Sequence, residues 1–283
     1  MRDSFLGQAL GAALSTVLAA TAMVVSRSMP SDPDPVRPSY DHPVLGRDVS
    51  WPNCPKGMGM PSRRTLGHPM PPASSTFVVI GLTNGPAFHP NPCLQAQVDY
   101  AETRHLWTAA YAVVTYPTRG QLRRYGASGP EPSRRPTGRL WNTGWAQARQ
   151  NVAAMRSAGL ESPIVWVDVE PVSPPAPWSD DRRANRTVLR GAMAYYRATG
   201  FRVGFYSTPS MWRDIVGPVR YRLPEWRTAG LSTRRAAMVK CRRDSFQGGR
   251  AVIAQWYSTR EDFNLLCPGR PAEETLRRYF SPS

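Results

Sequence analysis

Ile164-Val165-Trp166-Val167-Asp168-Val169-Glu170-Pro171 is the stretch on which the reading of this chain turns. Its apolar residues are β-branched or aromatic, the composition of a buried strand, and Pro171 stops it. Side chains two apart on a strand share a face, so Asp168 and Glu170 project together from one strand end. Two acids in one apolar setting resist joint ionisation, which drives their pKa values apart and suits acid–base chemistry. Alone, a D-x-E tripeptide reads more readily as a helix N-cap followed by a surface acid, so its meaning rests on what surrounds it.

The chain has 283 residues, enough for one large α/β barrel or two ordinary domains. Strand-like runs lie at 44–51, 77–82, 109–116, 164–170, 202–207, 224–229, 251–256 and 262–266. Helical spacing follows the second strand from Asn91-Pro92 to Leu106. It recurs through Trp141, Trp145, Ala148, Val152 and Met155, and again from the Ser179-Asp180-Asp181 cap to Gly200. A short helix is expected from Pro209 to Val216, and a polar loop over 118–140. Alternation of strands and helices, then nearly consecutive strands, predicts an α/β fold: a single irregular (β/α) TIM-like barrel whose later helices are reduced.

In such barrels the reactive groups gather at the strands' C-terminal ends. Those ends supply Asp48, Asn84, Tyr116, Asp168, Glu170, Tyr206, Gln255 and Asp262, with Trp51, Trp178, Trp212, Trp226 and Trp256 as flat surfaces for sugar rings. Taken singly, each tryptophan reads as core. The coincidence of acids with aromatics carries the weight. The four histidines show no metal-ligand spacing, and no phosphate loop, dinucleotide fingerprint or G-x-S-x-G elbow is present, so neither a metal nor a cofactor is expected.

The net charge of +16 is carried almost wholly by arginine, with Lys56 and Lys240 the only lysines. Scattered arginines attract polyanions, but a composition bias explains them equally well. Without a recognition helix or aromatic RNA-binding signature, nucleic acid is not the expected partner. Residues 5–25, apolar after Arg2 and containing Ala20-Thr21-Ala22, read as an export signal cleaved after Ala22; an uncleaved membrane anchor is the alternative. The expected organisation is a signal or anchor over 1–28, a proline-rich linker over 29–42 and a barrel over 43–283, probed by its ligand as a monomer outside the cytoplasmic membrane. Four cysteines then suit two disulfides. Of three possible pairings, positions after the first two strands and beside the last two favour Cys54–Cys93 and Cys241–Cys267.

Gly46-Arg47-Asp48-Val49-Ser50, Trp166-Val167-Asp168-Val169-Glu170, Gly204-Phe205-Tyr206-Ser207, Gln255-Trp256 and Asp262-Phe263-Asn264 resemble, in order and spacing, glycoside hydrolase family 25 over residues 44–267. The opening Asp48-Val49-Ser50-Trp51-Pro52-Asn53-Cys54 is similar to that of an exported actinobacterial group in that superfamily. The resemblance implies a secreted lysozyme-type muramidase acting on peptidoglycan or a related envelope glycan. Glu170 would be its general acid, Asp168 would stabilise positive charge as the substrate's N-acetyl group attacks, and Asp48 and Asp262 would tune both. Tyr206, Trp51, Tyr116, Asn84, Gln255 and Trp256 are the expected substrate contacts. A barrel that binds envelope glycan without cleaving it is the alternative. One departure bears on substrate: where the family's second strand ends in a charged segment, this chain has Gly81-Leu82-Thr83-Asn84-Gly85.

Overall fold

A computed structural model of the protein describes residues 43–172 and 178–283. The expected export signal, the 29–42 linker and most of the 171–177 loop lie outside the described residues. Among the described residues, eight strands close into one barrel. They are β1 (Leu45–Val49), β2 (Phe77–Gly81), β3 (Trp107–Val113), β4 (Ile164–Asp168), β5 (Arg202–Ser207), β6 (Glu225–Leu231), β7 (Ala251–Tyr257) and β8 (Asp262–Leu266). The order around the barrel is β3-β2-β1-β8-β7-β6-β5-β4, and β4 pairs back to β3. All neighbours are parallel except β8, which runs antiparallel to both β7 and β1. The irregular (β/α) barrel expected from the sequence is therefore the fold.

The helices are α1 (Leu94–Thr103), α2 (Arg119–Gly126), α3 (Pro136–Ser157), α4 (Arg182–Ala198), α5 (Pro209–Ile215), α6 (Arg234–Lys240) and α7 (Ala272–Tyr279). The stretch 118–140 is not a loop: it holds α2 and the first turn of α3. Composition hides α2, which is mostly arginine and glycine, but reciprocal capping starts it. The Gln121 backbone N–H donates to Thr118 Oγ1 at 3.2 Å, and the Thr118 N–H donates to Gln121 Oε1 at 2.9 Å. The short, charged α6 and α7 were likewise outside the sequence expectation.

Strand alternation sorts the core into two shells. Phe77, Val79, Ile164, Trp166, Trp226 and Ile253 form the inner cluster, joined by Leu276, Tyr279 and Phe280 from the C-terminal segment. Val78, Ile80, Val165, Val167, Val203 and Phe205 belong to the outer one, with apolar residues of α1, α3 and α4. Being buried on both faces, β4 reads as a nearly unbroken apolar run. Phe280 lies against Phe77 and Tyr279 against Trp166, with ring centroids 4.8 and 6.2 Å apart, so the C-terminal segment stoppers the barrel interior. Outside, α3 and α4 touch backbone to backbone. A Cβ on Gly144 would sit 1.9 Å from the Val188 carbonyl oxygen, and one on Gly191 2.0 Å from that of Trp141.

Two polar anchors complete the frame. Buried Glu225 accepts from Arg227 Nε at 2.6 Å and from the backbone of Gln247 and Gly249, while the Arg227 guanidinium donates to the carbonyls of Lys240, Arg243 and Gly249. Every charge there is met, which is what makes such a buried pair tolerable. The disulfides are Cys54–Cys93 and Cys241–Cys267, as expected. Inside the barrel, a Cβ on Gly204 would lie 2.4 Å from the Trp166 ring. Gly204→Ala is expected to cost roughly 1–3 kcal/mol, the usual range for forced overpacking, measured as a lower urea midpoint at unchanged m-value.

Candidate active site

Asp48 and Asp168 emerge from the C-terminal ends of β1 and β4, and Glu170 lies two residues beyond β4. Asp262 arrives differently, from the first residue of β8. Because β8 runs backward after a tight connection, in which the Ser258 N–H donates to the Glu261 carbonyl at 2.9 Å, its N-terminus opens at the same mouth. All four carboxyls line one cleft of about 340 Å³, together with Trp51, Arg63, Tyr111, Tyr206, Gln255 and Tyr257. Trp51, Arg63, Tyr111, Asp168 and Glu170 also border a side lobe of about 190 Å³. The carboxylate pair of β4 thus stands where the two lobes meet. Alternation accounts for this: Val169, between the two acids, is fully buried in the outer core.

The floor is aromatic. The Trp226 ring meets Tyr206 at 4.8 Å, Tyr111 at 5.6 Å and Trp166 at 6.3 Å, all edge to face. A relay of hydrogen bonds runs across it. Tyr206 Oη donates to Gln255 Oε1 at 2.9 Å, and Gln255 Nε2 donates to Asp48 Oδ1 at 3.0 Å. From the other side, Trp226 Nε1 donates to Asn264 Oδ1 at 2.8 Å, and Asn264 Nδ2 donates to the same Asp48 oxygen. Asp48 is therefore held on both sides, whereas buried Asp168 keeps Oδ1 with no hydrogen-bond partner among the described residues. Trp178 Nε1 donates to the Glu170 carbonyl at 2.8 Å and fixes the chain beyond the strand.

Electrostatics follow from crowding acids over rings. Burial pushes Asp48 up to about 6, against hydrogen bonds from Gln255 and Asn264 and the nearby Arg47, which pull it down. Burial, then Glu170 and Asp48, raise Asp168 well above the carboxylate range. Glu170 stands at about 7, raised by burial and Asp48 and lowered by Arg63. Asp262 reaches about 8 through burial and the charges of Asp48 and Glu170. These groups titrate as a cluster, and near neutrality the cleft retains protons.

Of the residues expected from sequence, Asp48, Asp168, Glu170, Asp262, Trp51, Tyr206 and Gln255 line the cleft. Three others do not line either lobe. Tyr116 packs against the outer core, three residues past the end of β3. Trp256 points opposite to Gln255 and stacks on Phe263, centroids 5.2 Å apart. Asn84 is buried and serves as scaffold: its Oδ1 accepts from the Met60 N–H at 3.0 Å, and its Nδ2 donates to the Arg63 carbonyl at 3.3 Å. Trp212 lies in the core. Tyr111, Tyr257 and Arg63 are cleft residues that the sequence reading passed over. Tyr111 was legible as an inward position of β3; Arg63 was not, because it comes from a two-residue hairpin strand (Arg63–Arg64 paired with Gly59–Met60).

A folded pKa near 8 against 3.8 for an ordinary aspartate means that Asp262 binds more protons folded than unfolded between about pH 4 and 8. Stability is then fully present below pH 4 and declines as pH rises through that window. Asp262→Asn removes the decline. Its melting temperature is expected to match wild type near pH 4 and exceed it by about 2–4 °C at pH 8, the shift of roughly 1 kcal/mol in a domain of this size; thermal melts across that range check it.

A family profile described as Lysozyme-like protein 1 matches residues 135–226, from α3 into β6. Lysozyme-like protein 5 of Caenorhabditis elegans is 31% identical over 71 residues, a quarter of this chain and 31% of that protein, so the match spans about a third of the relative's length. Solved structures match far more of the chain. The lysozyme from Streptomyces coelicolor superposes with a TM-score of 0.54 at 18% identity, covering 84% of this chain and 97% of that one. The family 25 lysozyme from Aspergillus fumigatus gives 0.51 at 12% identity, covering 84% and 99%. The chain is thus a glycoside hydrolase family 25-like barrel, with the fold of those lysozymes and sequence likeness to lysozyme-like proteins centred on β4 and β5.

Proposed function

We infer that the protein is an exported glycoside hydrolase acting on N-acetylated glycan of peptidoglycan or a related envelope polysaccharide. The observation that carries this reading is the convergence of Asp48, Asp168, Glu170 and Asp262 on one aromatic-floored cleft at the mouth of a barrel shared with lysozymes.

Glu170 is the general acid. A group near 7 holds its proton at working pH and releases it readily to a glycosidic oxygen. As that bond breaks, the substrate's own acetamido oxygen attacks the anomeric carbon, and the leaving sugar departs with the proton. Asp168, whose free oxygen faces no competing donor, accepts from the acetamido N–H and stabilises the positive charge of the cyclic intermediate. Water then attacks the same carbon, giving its proton to the Glu170 carboxylate, so the acid is regenerated. Asp48, gripped by Gln255 and Asn264, and Asp262 set the charge around the pair. Tyr206 holds Gln255, and Trp51 and Tyr257 offer ring faces at the rim.

Export fits the 5–25 segment and two disulfides, which form in oxidising compartments. Cleavage after Ala22 would leave a mature chain beginning at Met23, and N-terminal sequencing of the exported protein checks this. A glycan-binding barrel without turnover is the second reading, favoured by the absence of any charged side chain at the end of β2.

Glu170→Gln is expected to lower reducing-end release from purified cell wall by about 10²–10⁴-fold, the usual contribution of a general acid. Undiminished release would exclude the assignment, whereas retention on cell wall with no product from wild type would favour the binding reading. Because the protonated acid is the active form, kcat/KM should fall about tenfold per pH unit above 7. A rate–pH profile on the same substrate measures it.

A further inference from the structure

The end of β2 carries no charge of its own, yet the side lobe beside it contains one cation. Among the described residues lining the main cleft and the side lobe, that cation is Arg63. Several features of the chain place it there. Gly85 leaves the space: a Cβ on it would lie 2.6 Å from Arg63 Cδ. Asn84 binds the hairpin backbone on both of its strands, and the Cys54–Cys93 disulfide anchors the segment that leads into it. The guanidinium carbon then stands 5.3 Å from the centroid of the Trp51 ring, the rim surface on which a sugar would lie.

The lobe has unmet polar capacity. Thr83 Oγ1 and Asp168 Oδ1 are buried with no hydrogen-bond partner among the described residues, and both residues line it. Its 190 Å³ amounts to roughly six waters at ~30 Å³ each, the scale of one sugar ring. A pocket walled by Asp168 and Glu170 repels anions unless a cation is built into it, and a guanidinium on an aromatic face is the group that pairs with a carboxylate in two-point fashion.

The geometry points to a carboxylate-bearing sugar as the occupant of the side lobe, with Arg63 as the residue that reads that carboxylate. This rests on the glycan-hydrolase reading of the same cleft and narrows it to an acidic glycan. Arg63 acts on specificity, and through its charge it also restrains the rise of Glu170. A purely electrostatic service to Glu170 would affect acidic and neutral glycans alike, which separates the two roles.

The test uses the Glu170→Gln protein, in which turnover is suppressed, with and without Arg63→Gln or Arg63→Lys. Calorimetry measures binding of N-acetylated cell-wall oligosaccharides whose carboxylates are either free or converted to neutral amides. The free-carboxylate form is expected to bind roughly ten- to a hundredfold more tightly than the amide, the range of a charge-assisted hydrogen bond. Arg63→Gln should erase that preference while leaving affinity for the amide within about threefold, and Arg63→Lys should keep part of it. A preference that survives Arg63→Gln, equal losses on both ligands, or binding without discrimination would overturn the role of Arg63 while leaving the glycan reading intact. Binding of neither form by any of the proteins would overturn the glycan reading and this inference with it.

Discussion

Carboxyl groups packed against aromatic rings at one end of a closed barrel are the constraint on which the rest of the molecule depends. Taking even one carboxylate out of water is costly, and several within one cleft repel each other as well. The fold meets this in two ways. Asp48 is given donors from Gln255 and Asn264, each itself held by Tyr206 or Trp226. Asp168, Glu170 and Asp262 are instead displaced upward in pKa, so that they keep protons where ordinary acids would not. The second solution is unfavourable for stability near neutrality, and it supplies the protonated acid that glycosidic cleavage requires.

The cost is carried by a rigid frame. Trp166 fills the interior opposite Gly204, Phe280 and Tyr279 close the far end, and the Glu225–Arg227 pair knots β6 to the 240–250 segment. None of these touches the cleft lining directly except through Trp226, whose ring is both core and floor. Stability and reactivity are thus joined at one tryptophan.

Much of this was legible in the sequence, and the exceptions have physical causes. All eight strands showed as β-branched runs because a barrel strand buried on both faces cannot hide its pattern. The acids were legible because a carboxylate at the end of such a run has few structural uses. The helices α2, α6 and α7 were not, being short and arginine-rich, with their start set by caps and their burial by a few residues such as Leu122 and Leu276. Tyr116 and Trp256 were assigned to the cleft through strand ends placed one side chain too far or on the wrong face. At Trp256 a single residue reverses the face, and the ring stacks outward on Phe263. Arg63 left no local signal, since only the folded chain brings a surface hairpin over Gly85.

The close contact of α3 with α4 through Gly144 and Gly191 has a consequence for how the two walls of the cleft can change. The wall bearing Asp168 and Glu170 is backed by helices in backbone contact, where even a methyl group finds no room. The wall bearing Arg63 is a hairpin of two short strands, attached by one disulfide and one asparagine. Sequence drift is therefore unequal across the groove: the half that does chemistry is locked by its own packing, while the half that selects what enters is a small surface appendage that can be lengthened, recharged or exchanged. A lineage built on this scaffold can alter its diet without altering its teeth.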